Sequence, residues 1–153
     1  MIYGNLDKMI AEAMKSNNQE TLKVLRLVKS DLQKALIANK GKLDELGETK
    51  VLMSMVEQRE KDIAIYREAG RTDLADEEQK ELDIIRSYVP KQPTEEEITV
   101  CANKAIDSFL SSKDDGYTLS VKDTKPIMDI VKETYNTPTV GKIVSAVLKS
   151  KLA

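Results

Sequence analysis

Arg59, Glu78 and Glu81 are charges set at helical spacing among apolar residues. At about 100° of turn per residue, Arg59 lies near the middle of the stripe made by Leu52, Val56, Ile63 and Tyr66. Glu78 and Glu81 lie among Leu74, Leu82, Ile85 and Tyr88. Lys29 lies just inside the stripe of Leu22, Leu25, Leu32 and Leu36, with Arg26 at its border. A charge turned toward a core has to be paired, because an unpaired buried charge is very costly. The spacing therefore predicts that Arg59 pairs with Glu78 or Glu81 across two helices, with Lys29 or Arg26 close by. A network of Lys29, Arg59, Glu78 and Glu81 reads first as structural, fixing helix register. A partner-binding groove and a catalytic carboxylate pair are the other uses open to such a cluster.

The second group of candidates is basic. Lys122 and Lys125 stand by one expected helix start, Lys142 follows Gly141 near another, and Lys132, Lys149 and Lys151 complete the set. Helix N-termini expose N–H groups and a partial positive charge that suit phosphate. Lys122, Lys125, Lys142 and Lys149 are therefore the candidates for RNA-backbone contact; the alternative is a solvated helical face. Tyr117 and Tyr135 lie in or beside loops of the same region and are of the type that stacks on bases, although no basic cluster accompanies them.

Absences narrow the chemistry. The 153 residues include no His and a single Cys, Cys101. Ser-His-Asp and Cys-His triads, a His general base and a His-ligated zinc are excluded, as is an intramolecular disulfide. Cys101 falls on an apolar helix face and reads as a small core residue. The 6 Met residues read as core fill rather than a copper site. With no Walker sequence and no G-x-G-x-x-G, nucleotide binding has no support. No catalytic residue, metal or cofactor is expected.

The elements that must position these residues are helices. Gly and Pro total 10, leaving little material for a turn-rich β fold, and apolar residues recur at helical spacing rather than in alternation. Asn5 caps a short first helix with Leu6, Met9, Ile10, Ala13 and Met14 on its stripe. A second helix runs over about 19–38, 41–47 form a turn, and a third runs over about 48–69 to a stop at Gly70. Thr72 or Asp73 caps a fourth, ending near Tyr88. Pro90 and Pro93 then interrupt the chain. Thr94 and Glu97 form a capping box for a fifth helix. Asp123 or Thr124 caps a sixth, with Pro126 in its first turn, and Thr137-Pro138 opens the last. The expected fold is all-α: a four-helix N-terminal domain over 1–89, a Pro-rich hinge at 90–93, and a three-helix C-terminal domain over 94–153.

Charge follows this division. The 24 basic and 26 acidic residues give a net −2, which is not the balance of a strong sequence-independent nucleic-acid binder, and DNA binding is not expected. Residues 1–98 nevertheless carry net −4 and 99–153 net +2. No charge-free run exceeds 8 residues, far short of the roughly 20 a membrane span needs. The first residues show no basic region leading into an apolar stretch. A cytoplasmic location without membrane contact is expected.

Leu25-Arg26-Leu27-Val28-Lys29-Ser30 resembles the segment near the N-terminus of the GatB/YqeY family, specifically its stand-alone YqeY-like members. The longer stretch Gln58-Arg59-Glu60-Lys61-Asp62, Tyr66 through Leu74, then Glu78, Glu81, Leu82 and Tyr88-Val89-Pro90 is similar to the family's most recognisable region in order and spacing. The chain departs from the pattern at Thr124-Lys125-Pro126, where the family tends to have Met-Gly-Lys, and at Val140-Gly141-Lys142, where an acid often precedes Gly-Lys. The resemblance implies a C-terminal module like the tail domain of the B subunit of glutamine-dependent tRNA amidotransferase, a domain that helps hold tRNA. It also implies the family label of a carbon–nitrogen ligase with glutamine as amido-N-donor. The expected function is an accessory tRNA-binding protein, not catalytic alone, whose partners are tRNA or an amidotransferase or aminoacyl-tRNA synthetase complex. The alternative is a helical protein–protein adaptor with no RNA role.

Overall fold

A computed structural model describes residues 1–152 of the chain. Seven α-helices account for most of it and no strand occurs among the described residues, so the fold is all-α. They are α1 (Leu6–Lys15), α2 (Gln19–Ala38), α3 (Glu45–Glu68), α4 (Thr72–Tyr88), α5 (Glu95–Ser111), α6 (Thr124–Thr134) and α7 (Val140–Leu152). Single 3-10 turns precede α1, at Tyr3–Asn5, and α6, at Val121–Asp123.

The first three helices stop by one device. A residue in left-handed conformation follows the last turn, and its own N–H and that of the next residue fold back onto carbonyls that would otherwise be unpaired. After α1 the residue is Asn17 (φ 54°), with Asn18 N–H on the Ala13 carbonyl at 3.0 Å. After α2 it is Lys40 (φ 55°), with Gly41 N–H on Leu36 at 2.8 Å. After α3 it is Gly70 (φ 71°), with Arg71 N–H on Tyr66 at 2.8 Å. Asn18 serves twice, since its side chain also accepts from the Thr21 N–H at 3.2 Å and so caps α2.

The start of α3 differs from the expectation of a turn running to Gly47. The helix begins at Glu45 because the Asp44 carboxylate caps it, accepting from the Gly47 N–H at 2.7 Å. Gly47 lies inside the first turn, where a Cβ would stand 2.9 Å from Asp44 Oδ1. The helix-breaking residue in the sequence is the one that leaves room for the cap. The last helix differs too: α7 begins at Val140, and Pro138 lies in a turn that joins the Thr137 carbonyl to the Val140 N–H at 3.3 Å.

The chain divides into two compact units, Met1–Pro90 and Lys91 onward, and 90–94 carry no helix. In the first unit, α3 and α4 form a hairpin and α2 packs on α1, α3 and α4. Leu6, Leu25, Val28, Leu32, Leu52 and Ile85 are at the centre of its core. Val24, off the narrow stripe read from the sequence, is buried as well, because α2 is flanked on three sides. Met14, expected on the α1 stripe, is exposed. A smaller cluster of Ile63, Ala75 and Leu82 closes the end of the hairpin, with Tyr66 against it. The second unit packs α5, α6 and α7 around Ile98, Ile106, Ile127, Val131, Val144 and Leu148, with Cys101 half-buried beside them. Its first helix carries the Thr94–Glu97 capping box, at 3.1 and 2.8 Å.

Candidate functional site

The α3–α4 hairpin brings Arg59, Glu78 and Glu81 together. Arg59 Nη2 donates to Glu81 Oε2 at 3.3 Å and Nη1 to the Met55 carbonyl at 3.4 Å, while Nε stands 4.0 Å from Glu78 Oε2. The Arg59 and Glu81 side chains are only 13% and 12% exposed, so each needs the other. The second cation on Glu81 is Lys23 of α2, 2.5 Å from Oε1. Lys29 is not part of this group: its ammonium lies 2.5 Å from Asp7 Oδ1 on α1. Six residues separate Lys23 from Lys29, which sets them about 120° apart around the helix, so one flank of α2 meets α4 and the other meets α1. Arg26 is exposed. Lys23 was not singled out in the sequence, because its long stem reaches Glu81 from outside the stripe.

The charges of the network act on one another. Burial and the neighbouring Glu81 carboxylate push the Glu78 carboxyl above its ordinary value, against the pull of Arg59. The hydrogen bond and charge of Glu81 raise Lys23. Glu20, Lys23, Glu77, Lys80 and Glu81 line a groove of about 250 Å³ beside the network. Lys80 pairs across it with Glu20 at 3.4 Å, and Arg86 of α4 pairs with Glu60 of α3. Three acids against two lysines leave this lining net −1, and its ion pairs, with those of Arg59 and Glu60, tie α2, α3 and α4 in register.

A further buried acid does structural work. Glu48, 4% exposed, accepts from the Ile2 and Tyr3 N–H groups at 2.6 and 3.1 Å. Its carboxylate thus satisfies amides at the head of the turn that leads into α1.

In the second unit the basic candidates are all exposed. Lys122 is in the 3-10 turn before α6 and Lys125 in the first turn of α6. Lys142 and Lys149 are on α7, seven residues apart and so on one face. The ion pairs among the described residues all lie within 7–86; none involves these lysines. Asp123 lies between Lys122 and α6, but its carboxylate is buried and turned inward. Oδ1 accepts from the Tyr117 hydroxyl at 2.8 Å, and Oδ2 accepts from the Ser120 N–H at 2.8 Å and from Ser120 Oγ at 3.2 Å. The Ser120 amide and the Tyr117 hydroxyl hold its carboxyl below the ordinary carboxylate value. Asp123 therefore ties down the loop rather than capping α6, as the sequence had suggested. Tyr117 is exposed, whereas Tyr135 packs on the core.

Among the described residues, no group of three or more Cys, Asp or Glu is placed to hold a metal ion, and no helix is long and apolar enough to cross a membrane.

A family model described as Yqey-like protein matches residues 4–152. An uncharacterized protein of Schizosaccharomyces pombe is 26% identical over 84 residues, which is 55% of this chain and 68% of that protein.

Proposed function

Because the chain belongs to the Yqey-like protein family, we propose that it is an accessory RNA-binding protein related to glutamine-dependent tRNA amidotransferase. It engages tRNA through its second helical unit, alone or beside an amidotransferase or aminoacyl-tRNA synthetase complex. The observation that carries this reading is the contrast between the units. In the first, Lys23, Lys29 and Arg59 are held by Glu81 and Asp7. In the second, Lys122, Lys125, Lys142 and Lys149 are exposed and in no ion pair, and Asp123, next to Lys122 in the chain, is spent on Ser120 and Tyr117. Unpaired lysines on helices can exchange small counterions for phosphate, the usual source of RNA affinity.

The ion-pair network of the first unit supports a structural role. Arg59 holds one oxygen of Glu81 and Lys23 the other, while Arg59 Nε, 4.0 Å from Glu78, makes no hydrogen bond among the described residues. Carbon–nitrogen ligation with glutamine as nitrogen donor would then belong to a partner, with this protein contributing tRNA contact. Cross-linking in a cell extract followed by recovery of the tagged chain tests the role. Recovery of tRNA, lost on nuclease treatment, is the expected result. A protein partner that survives nuclease, with no RNA recovered, would make the chain an adaptor instead.

A further inference from the structure

We propose that Tyr117 is a stacking platform for an unpaired nucleobase, with Lys113 and Lys122 beside it for the flanking phosphates. This rests on the RNA-binding reading and deepens it, naming single-stranded RNA (a loop or an end) as the part recognised. The loop after α5 holds an aromatic ring outward by unusually specific means. The Tyr117 hydroxyl is fixed on the buried Asp123 carboxylate at 2.8 Å. Its ring meets the Phe109 ring edge-on, with centroids 6.3 Å apart and planes at 70°. Lys113 Nζ stands 4.8 Å from the Phe109 centroid and 5.6 Å from that of Tyr117. The side chain is thus anchored at its tip and has a cation over its ring, yet Tyr117 remains 42% exposed.

A ring needed only for packing would be drawn into the core, as half-buried Phe109 and Tyr135 are. Anchoring an exposed ring removes rotamer freedom in advance, which lowers the entropy lost when a flat ligand settles on it. Every base has a π-face, so stacking requires no particular sequence but does require an unpaired base. Lys122 precedes Asp123, the ring's anchor, in the chain and is exposed. Asp114 and Asp115, exposed in the same loop, favour the same selection. They oppose the dense phosphates of a duplex more than the sparser charge of a single strand.

The test uses the full chain with a short labelled single-stranded oligoribonucleotide and an RNA duplex of equal charge. Tyr117→Leu is expected to weaken single-strand binding roughly five- to a hundredfold, to leave duplex binding unchanged and to keep the salt dependence of the wild type. Tyr117→Phe, which keeps the π-face but loses the hydroxyl anchor on Asp123, is expected to bind between the wild type and Tyr117→Leu. An oligonucleotide carrying a fluorescent purine analogue should lose emission on binding the wild type, a readout that does not depend on how the variants fold. Equal single-strand affinity of Tyr117→Leu and wild type, or unchanged emission, overturns the platform. If Lys122→Ala weakens binding while Tyr117→Leu does not, stacking fails and the RNA reading stands. If the wild type binds neither RNA at low salt, both fail.

Discussion

Glu81 accepts from cations on two other helices, Arg59 of α3 and Lys23 of α2, while Glu78, one turn earlier on α4, has only Arg59 at 4.0 Å. The two carboxylates should therefore respond oppositely to neutralisation. Glu81→Gln strands the Arg59 guanidinium in a site only 13% exposed and is expected to cost about 2–3 kcal/mol in urea denaturation. Glu78→Gln removes a charge that burial and Glu81 disfavour and should raise stability at neutral pH by up to about 1 kcal/mol. The pH dependence follows from the sign. A carboxyl whose folded value is raised takes up its proton first in the folded state, so Glu78 opposes folding above that value. Stability returns as pH falls through it toward the ordinary carboxylate value. Glu78→Gln should flatten this part of the profile, and an unchanged profile would show that Glu78 is not strained by its surroundings. Asp123 has the reverse sign: its value is lowered, so its contribution is present above the ordinary carboxylate value and is lost as pH falls through the folded one. The helical phase in the sequence was enough to single out Arg59, Glu78 and Glu81. It pointed to Lys29 or Arg26 and missed Lys23, because lysine stems reach across a helix flank and phase alone does not say which neighbour lies there.

At the level of elements, most helices were readable from apolar spacing, and the Thr94–Glu97 box from residue types alone. The failures lie at boundaries governed by single contacts. Gly47 looks like a turn residue and instead makes room for the Asp44 cap; Pro138 looks like a first helical residue and instead sits in the turn before α7. Lys40 gives no sign in the sequence of its left-handed conformation. That conformation is costly for a residue with a Cβ, so Lys40→Gly should stabilise the chain by about 1 kcal/mol, as a shift of the urea midpoint. Loss of stability would mean that the lysine side chain is needed there. Glu48 has the opposite character. Glu48→Ala would leave the Ile2 and Tyr3 amides without their acceptor and should cost about 2 kcal/mol. Hydrogen exchange at those two amides should rise to the rate of an open chain, and continued protection would contradict the tether.

For the whole molecule, the near-even balance of 24 basic and 26 acidic residues conceals two kinds of charge. About half of those in the first unit are paired with each other, whereas the lysines of the second are in no ion pair among the described residues. The difference in net charge was visible in the sequence; the inward turn of Asp123, which takes its carboxylate away from Lys122, was not, because it depends on a loop fold that brings Tyr117 and Ser120 to one carboxylate. The most direct measurement is the affinity of the full chain for tRNA as a function of salt concentration, for the wild type and for variants with Lys122, Lys125, Lys142 and Lys149 changed to Ala. Binding should weaken steeply with salt, and each lysine removed should lower the log–log slope by about one without changing thermal stability. Absence of tRNA binding at low salt, or a slope that the four substitutions leave unchanged, would contradict an RNA-binding role for the second unit.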